Sequence, residues 1–79
     1  MLKYVVVNSR GYKIPIIFPS LLEHSYFKLN NPTSAGFCFL NYDNKTEKIE
    51  ATVYGESISL DLKSDPNDAM LINSSLRDY

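Results

Sequence analysis

The stretch Gly55–Leu76, GESISLDLKSDPNDAMLINSSL, decides the fold. In its first half Ile58, Leu60 and Leu62 alternate with Ser57, Ser59 and Asp61, the two-residue period of a half-buried strand. The second half changes period. Ala69, Ile72, Leu76 and Tyr79 recur at helical spacing, with Asn67, Asn73, Ser74 and Asp78 elsewhere around the wheel, which predicts an amphipathic helix. Its start is marked several times over: Ser64 or Asp65 can cap it, Pro66 suits the first helical position, and Asp68 lies near the positive end of the helix dipole.

Upstream, strands over 47–54 and 57–63 bracket Gly55-Glu56, a pair suited to a type II′ hairpin turn with glycine first. That register sets Val53 opposite Ile58, Ala51 opposite Leu60 and Ile49 opposite Leu62, so one face is apolar. The other face sets Tyr54 against Ser57, Thr52 against Ser59 and Glu50 against Asp61, with Lys48 and Lys63 diagonally placed to offset the like charges. Further upstream, Ser34–Tyr42 reads as a central strand, Phe37 and Phe39 on one side and Cys38, Leu40 and Tyr42 on the other, followed by a turn over Asp43–Thr46. The chain begins with a hairpin: Leu2–Val7 and Tyr12–Phe18 flank the loop Asn8–Gly11, and Pro15, lacking an amide donor, assigns the second strand to an edge. Between these units, Ser20 and Glu23 form a capping-box pattern and Leu22, Tyr26 and Leu29 have helical spacing. A short helix is expected there, ended by Asn30-Asn31-Pro32. The predicted fold is α+β: one domain over residues 1–79, with about five mainly antiparallel strands, the C-terminal helix on one face and a short helix after the second strand.

At 79 residues the chain holds one core. Burial of apolar surface is worth about 120 kcal/mol, and ordering the chain costs about the same, so a dimer is one way such a protein gains stability. A net charge of −1 conceals an uneven distribution: residues 1–42 carry four cations and one anion, and residues 43–79 carry eight anions and four cations. Cys38 is the single cysteine, which excludes an intramolecular disulfide and a cysteine-rich zinc site and points to a reducing, cytoplasmic setting. Ile14–Phe18 continuing to Leu22 falls far short of the ~20 apolar residues of a membrane span, so no membrane is expected. The N-terminus, with Asn8 soon after Val7, does not read as a signal peptide.

Chemistry-bearing patterns are absent. His24 and Cys38 could in principle form a nucleophile and base, but Cys38 lies within an apolar strand and His24 follows the capping pattern on an expected helix surface. Asp61–Asp68 lacks the glycine, the alternating oxygen ligands and the final glutamate of a calcium loop. Gly11, Gly36 and Gly55 are isolated, so no phosphate cradle forms and no cofactor is expected.

Ser34–Phe37, Gly55–Leu60 and Ser64–Asp68 (SAGF, GESISL and SDPND) together resemble a group of small proteins encoded in phages and prophages. The likeness covers the last 45 or so residues and the opening hairpin, and it brings no catalytic residues. It implies an accessory protein acting in a host cytoplasm. The expected function is therefore a non-enzymatic protein-binding module that inhibits or modulates a host factor. Six tyrosines support an interface role, and the acidic hairpin face, Glu47, Glu50, Tyr54, Glu56 and Asp61, is the expected contact. The rival is a single-stranded nucleic-acid binder using Lys3, Arg10, Lys13 and Lys28 among the tyrosines of the N-terminal half.

Overall fold

A computed structural model describes residues 1–77 as an α+β fold. Its main sheet has four antiparallel strands in the order β2-β1-β3-β4: β1 (Leu2–Ser9), β2 (Tyr12–Pro19), β3 (Pro32–Asp43) and β4 (Lys48–Tyr54). A two-stranded sheet, β5 (Glu56–Ser57) with β6 (Leu62–Lys63), and one helix, α1 (Asn67–Arg77), complete it.

The opening hairpin forms as expected. Arg10 and Gly11 turn the chain at φ 53° and 84°, the two left-handed residues that a type I′ turn needs, and Asn8 Oδ1 accepts the Gly11 N–H at 3.1 Å. With so short a turn, Ser9 and Tyr12 exchange hydrogen bonds, and the ladder alternates from there. Pro15 opposite Val6 and Pro19 opposite Leu2 then fall where the nitrogen faces away from β1. The outer edge of β2 is thereby short of two donors, as an unpaired edge tolerates.

A 3₁₀ helix, His24–Asn30, stands where a short helix is expected. The Ser20–Glu23 capping box does not form: Glu23 itself precedes the helix in extended conformation without a side-chain cap, and its carboxylate accepts the Ser25 hydroxyl at 3.3 Å. Asn31, at φ 55°, ends the segment. His24 is buried rather than on the helix surface, because its Nε2–H donates to the Gly36 carbonyl at 2.8 Å and its ring packs between Phe18 and Phe37.

The predicted 47–54/57–63 hairpin is not the pairing the chain adopts. β4 pairs back along β3, with Cys38 opposite Val53, Leu40 opposite Ala51 and Tyr42 opposite Ile49. Gly55, at φ 77°, turns the chain away from β4 instead of returning it. The chain passes so close to Gly36 there that a Cβ at Gly36 would meet the Tyr54 carbonyl oxygen at 2.5 Å. The strand that follows Gly55 ends at Ser57, whose hydroxyl accepts the Leu60 N–H at 3.2 Å and turns the chain. Asp61 donates its N–H to the Ile58 carbonyl at 3.2 Å and takes φ 54°. Ile58 is therefore 89% exposed, while Leu60 and Leu62 pack inward. The expected five-stranded sheet becomes four strands plus a two-stranded flap.

Each face of the main sheet buries its own cluster. Tyr4, Val6, Cys38 and Ala51 pack beneath Ile72, Leu71 and Leu76 of α1. Val5, Val7, Phe18 and Ala35 pack beneath Phe27 of the 3₁₀ helix and Leu60 and Leu62 of the flap. Ile72 and Leu76 of the predicted helix stripe lie at the core; Tyr79 and Asp78 lie outside the described residues. Asp65 caps α1, accepting the Asn67 N–H at 2.9 Å, and Asp68 Oδ2 reciprocates on the Asp65 N–H at 3.1 Å, a capping box built from two aspartates. The same Asp68 oxygen accepts the Tyr4 hydroxyl at 2.6 Å, with both side chains buried.

Replacing Tyr4 by Phe removes one of the partners of a buried carboxylate and is expected to cost about 1.5–3 kcal/mol in urea unfolding. Burial, followed by the hydrogen bond to Asp68, raises the Tyr4 pKa. The unfolded chain therefore releases this proton near pH ~10 while the folded protein keeps it, so the stability present below that pH falls as pH rises above it. Denaturation midpoints measured across the alkaline range should fall less steeply for Tyr4→Phe than for the native chain.

Candidate functional site

Phe37 and Phe39 lie two residues apart on β3 and so share the face opposite α1. Tyr54 stands opposite Phe37 on β4 and diagonal to Phe39, so its ring falls between theirs. The stacking is close to parallel: 4.9 Å and 20° to Phe39, 5.7 Å and 26° to Phe37. The series continues inward. Phe37 meets His24 edge-on at 5.7 Å, His24 meets Phe18 edge-on at 5.6 Å, Phe18 meets Phe27 at 4.9 Å, and Phe27 meets Tyr26 at 5.2 Å. One ladder of rings thus crosses this face from β4 to the 3₁₀ helix. Its middle is covered and both ends are open, with Phe39 53% and Tyr26 72% exposed.

The five residues expected to form one acidic contact are divided by the structure. Tyr54 and Glu50 share the ladder face of β4, where Glu50 stands opposite Asn41. Glu56, opposite Lys63 on the flap, lines a shallow groove with Lys3, Glu23, His24, Phe37, Ile58 and Ser59. Glu56 and Tyr54 therefore flank Phe37 from two sides. Asp61 belongs to the flap turn and Glu47 to the β3–β4 turn, at φ 54° and 55°, so Glu50 and Asp61 are not cross-strand neighbours. Phe39 is the residue that sequence reading missed. Alternation placed it on one side of a central strand with Phe37, yet β3 is 12 residues long against eight for β1, so its far end outruns the layers that cover the near end.

Cys38 and His24 serve opposite faces of the sheet, Cys38 beneath α1 and His24 against Phe37, and form no dyad. Burial raises the Cys38 pKa, which keeps the thiol protonated. The four N-terminal cations do not converge either. The Lys3 ammonium donates to the Leu22 carbonyl at 2.8 Å and Lys13 lies beside Met70 and Leu71 of α1, while Arg10 and Lys28 border adjoining depressions that share Ile16, Leu29 and Asn30. No helix among the described residues is long and apolar enough to cross a membrane.

No protein-family model, curated protein or solved structure matches the chain.

Because Cys38 is buried beneath α1, its alkylation by a thiol reagent should proceed only through opening of the fold. Labelling rates followed against urea should track the unfolding equilibrium, and fast labelling in native buffer would contradict this placement.

Proposed function

We propose that the protein is a non-enzymatic binding module that holds a segment of a partner protein against the β4 end of the aromatic ladder. The observation that supports it is the Phe39–Tyr54 stack, rings 4.9 Å apart with Phe39 half-exposed and Glu50 on the same strand face. Rings locked against each other lose little freedom on binding, and aromatic side chains are the residues on which interface energy concentrates. Nearby carboxylates favour a partner that brings Lys or Arg, whose cations also stack on ring faces. With the resemblance to phage-encoded proteins, the reading is an accessory protein that inhibits or modulates a host factor in the cytoplasm.

Affinity capture from host lysate, with the bound protein identified and its affinity then measured directly, tests the reading. Phe39→Ala should weaken binding by about 30-fold or more if it acts as a central anchor. Glu56→Lys should slow association and flatten its salt dependence, as a charge at the rim does. A partner held equally well by both variants would sink the proposal.

A further inference from the structure

The main sheet has two outer edges, and they are not alike. β2 is short of donors at Pro15 and Pro19, whereas β4 carries none of these blocks over Lys48–Glu50. The direction of the β4 backbone follows from one bond: the Ala51 N–H points away from β3 and donates to Asn73 Oδ1 of α1 at 2.7 Å. Backbone direction repeats every two residues, so Ile49 also turns its N–H and carbonyl outward. Around it the side chains remain open. Ile49 is 45% exposed and its neighbour Tyr42 59% exposed, and Lys48 and Glu50 are exposed on the opposite face.

We propose that two copies of this chain pair antiparallel through the β4 edge, with Ile49 of one copy opposite Ile49 of the other. Charge and hydrogen bonding select that register. Centring on Lys48 or on Glu50 would oppose like charges. Centring on Ala51 would need the N–H that Asn73 already holds, and Glu47, at φ 55°, has left the extended conformation. Centring on Ile49 sets Lys48 against Glu50 of the second copy, twice by symmetry. Since Asp43 stands opposite Lys48 and Asn41 opposite Glu50 within each copy, the row across the joined sheets reads Asp43, Lys48, then Glu50 and Asn41 of the second copy, alternating in charge where charges meet. On the other face Tyr42 and Ile49 of each copy make one continuous apolar row. The pairing leaves the Phe39–Tyr54 stack uncovered, so it does not rest on the partner-binding proposal. Only a short length of edge takes part, so the contact is smaller than a standard interface of roughly 1,200–2,000 Å² and association is concentration-dependent.

Sedimentation velocity at low ionic strength over a rising concentration series tests the pairing. The native chain should shift from monomer toward dimer, and Lys48→Glu and Glu50→Lys should each remain monomeric at the same concentrations. An equimolar mixture of these two variants should associate again, because each cross-strand position then meets its opposite charge. A native chain that stays monomeric throughout, variants that associate as it does, or a mixture that fails to recover would each overturn the proposal. Register is read separately. In a Cys38→Ser background, Ile49→Cys should form a disulfide dimer under mild oxidation, since paired Cα atoms lie about 5.5 Å apart, and Thr52→Cys should not. Equal cross-linking at both positions would also overturn it.

Discussion

The hydrogen bond from Tyr4 to Asp68 connects the middle of the sheet to the first turn of the only α-helix among the described residues. A carboxylate in so dry a place is tolerable only when its oxygens are occupied, and Asp68 Oδ2 is held by both the Tyr4 hydroxyl and the Asp65 N–H. Those two bonds set the position of the helix start relative to β1. Further along, Asn73 reaches the β4 backbone at Ala51, so α1 is pinned at one end to the central strand and in its second half to the edge strand. Ile72 and Leu76 then fall over Tyr4, Val6 and Cys38 without further constraint. What the helix covers is fixed by these attachments, and so is what it leaves uncovered: β3 and β4 beyond Leu40 and Ala51 project past it.

Elements whose local chemistry agrees with their environment were legible in the sequence. The Arg10-Gly11 hairpin, the edge position of Pro15, the central β3 and the Asp65-Pro66-Asp68 helix start all follow from residues within a few positions of one another. The Gly55 hairpin misled because its evidence was also local: pairing with β3 leaves the outer edge of β4 open, but Gly55 turns the chain away from it and Asn73 takes the Ala51 N–H there. Alternation in Ser57–Leu62 was real, but Ser57 and Asp61 form a turn with their own backbone, and a two-residue period cannot distinguish a strand from a flap that buries two leucines. Asn73, placed off the apolar stripe of the wheel, holds the edge of β4; helical spacing gives its direction but not the strand end beneath it.

The candidate site was legible in part for the same reason. Tyr54 and Glu50 share a face in either pairing, because each keeps the alternation of β4. Phe39 could not be singled out, since alternation assigns a face and not what covers that face. Glu56 and Asp61 were joined to the wrong surface by the register error.

The two edges of the sheet also differ in how far they are open to the addition of another strand. An open edge beside Tyr42 and Ile49 would invite indiscriminate strand addition if it ran the length of β4. It does not: Asn73 occupies the Ala51 donor, and Glu47 leaves the extended conformation, so the free backbone is confined to a short segment whose flanking side chains are Lys48 and Glu50. A strand with a like charge at either position is repelled, and one with no charge must strand a lysine and a glutamate at the junction. An edge kept this short and marked by adjacent opposite charges is selective by construction, in contrast to the proline-interrupted edge of β2. A short open edge flanked by Lys48 and Glu50 is the arrangement that the proposed Ile49-centred pairing requires.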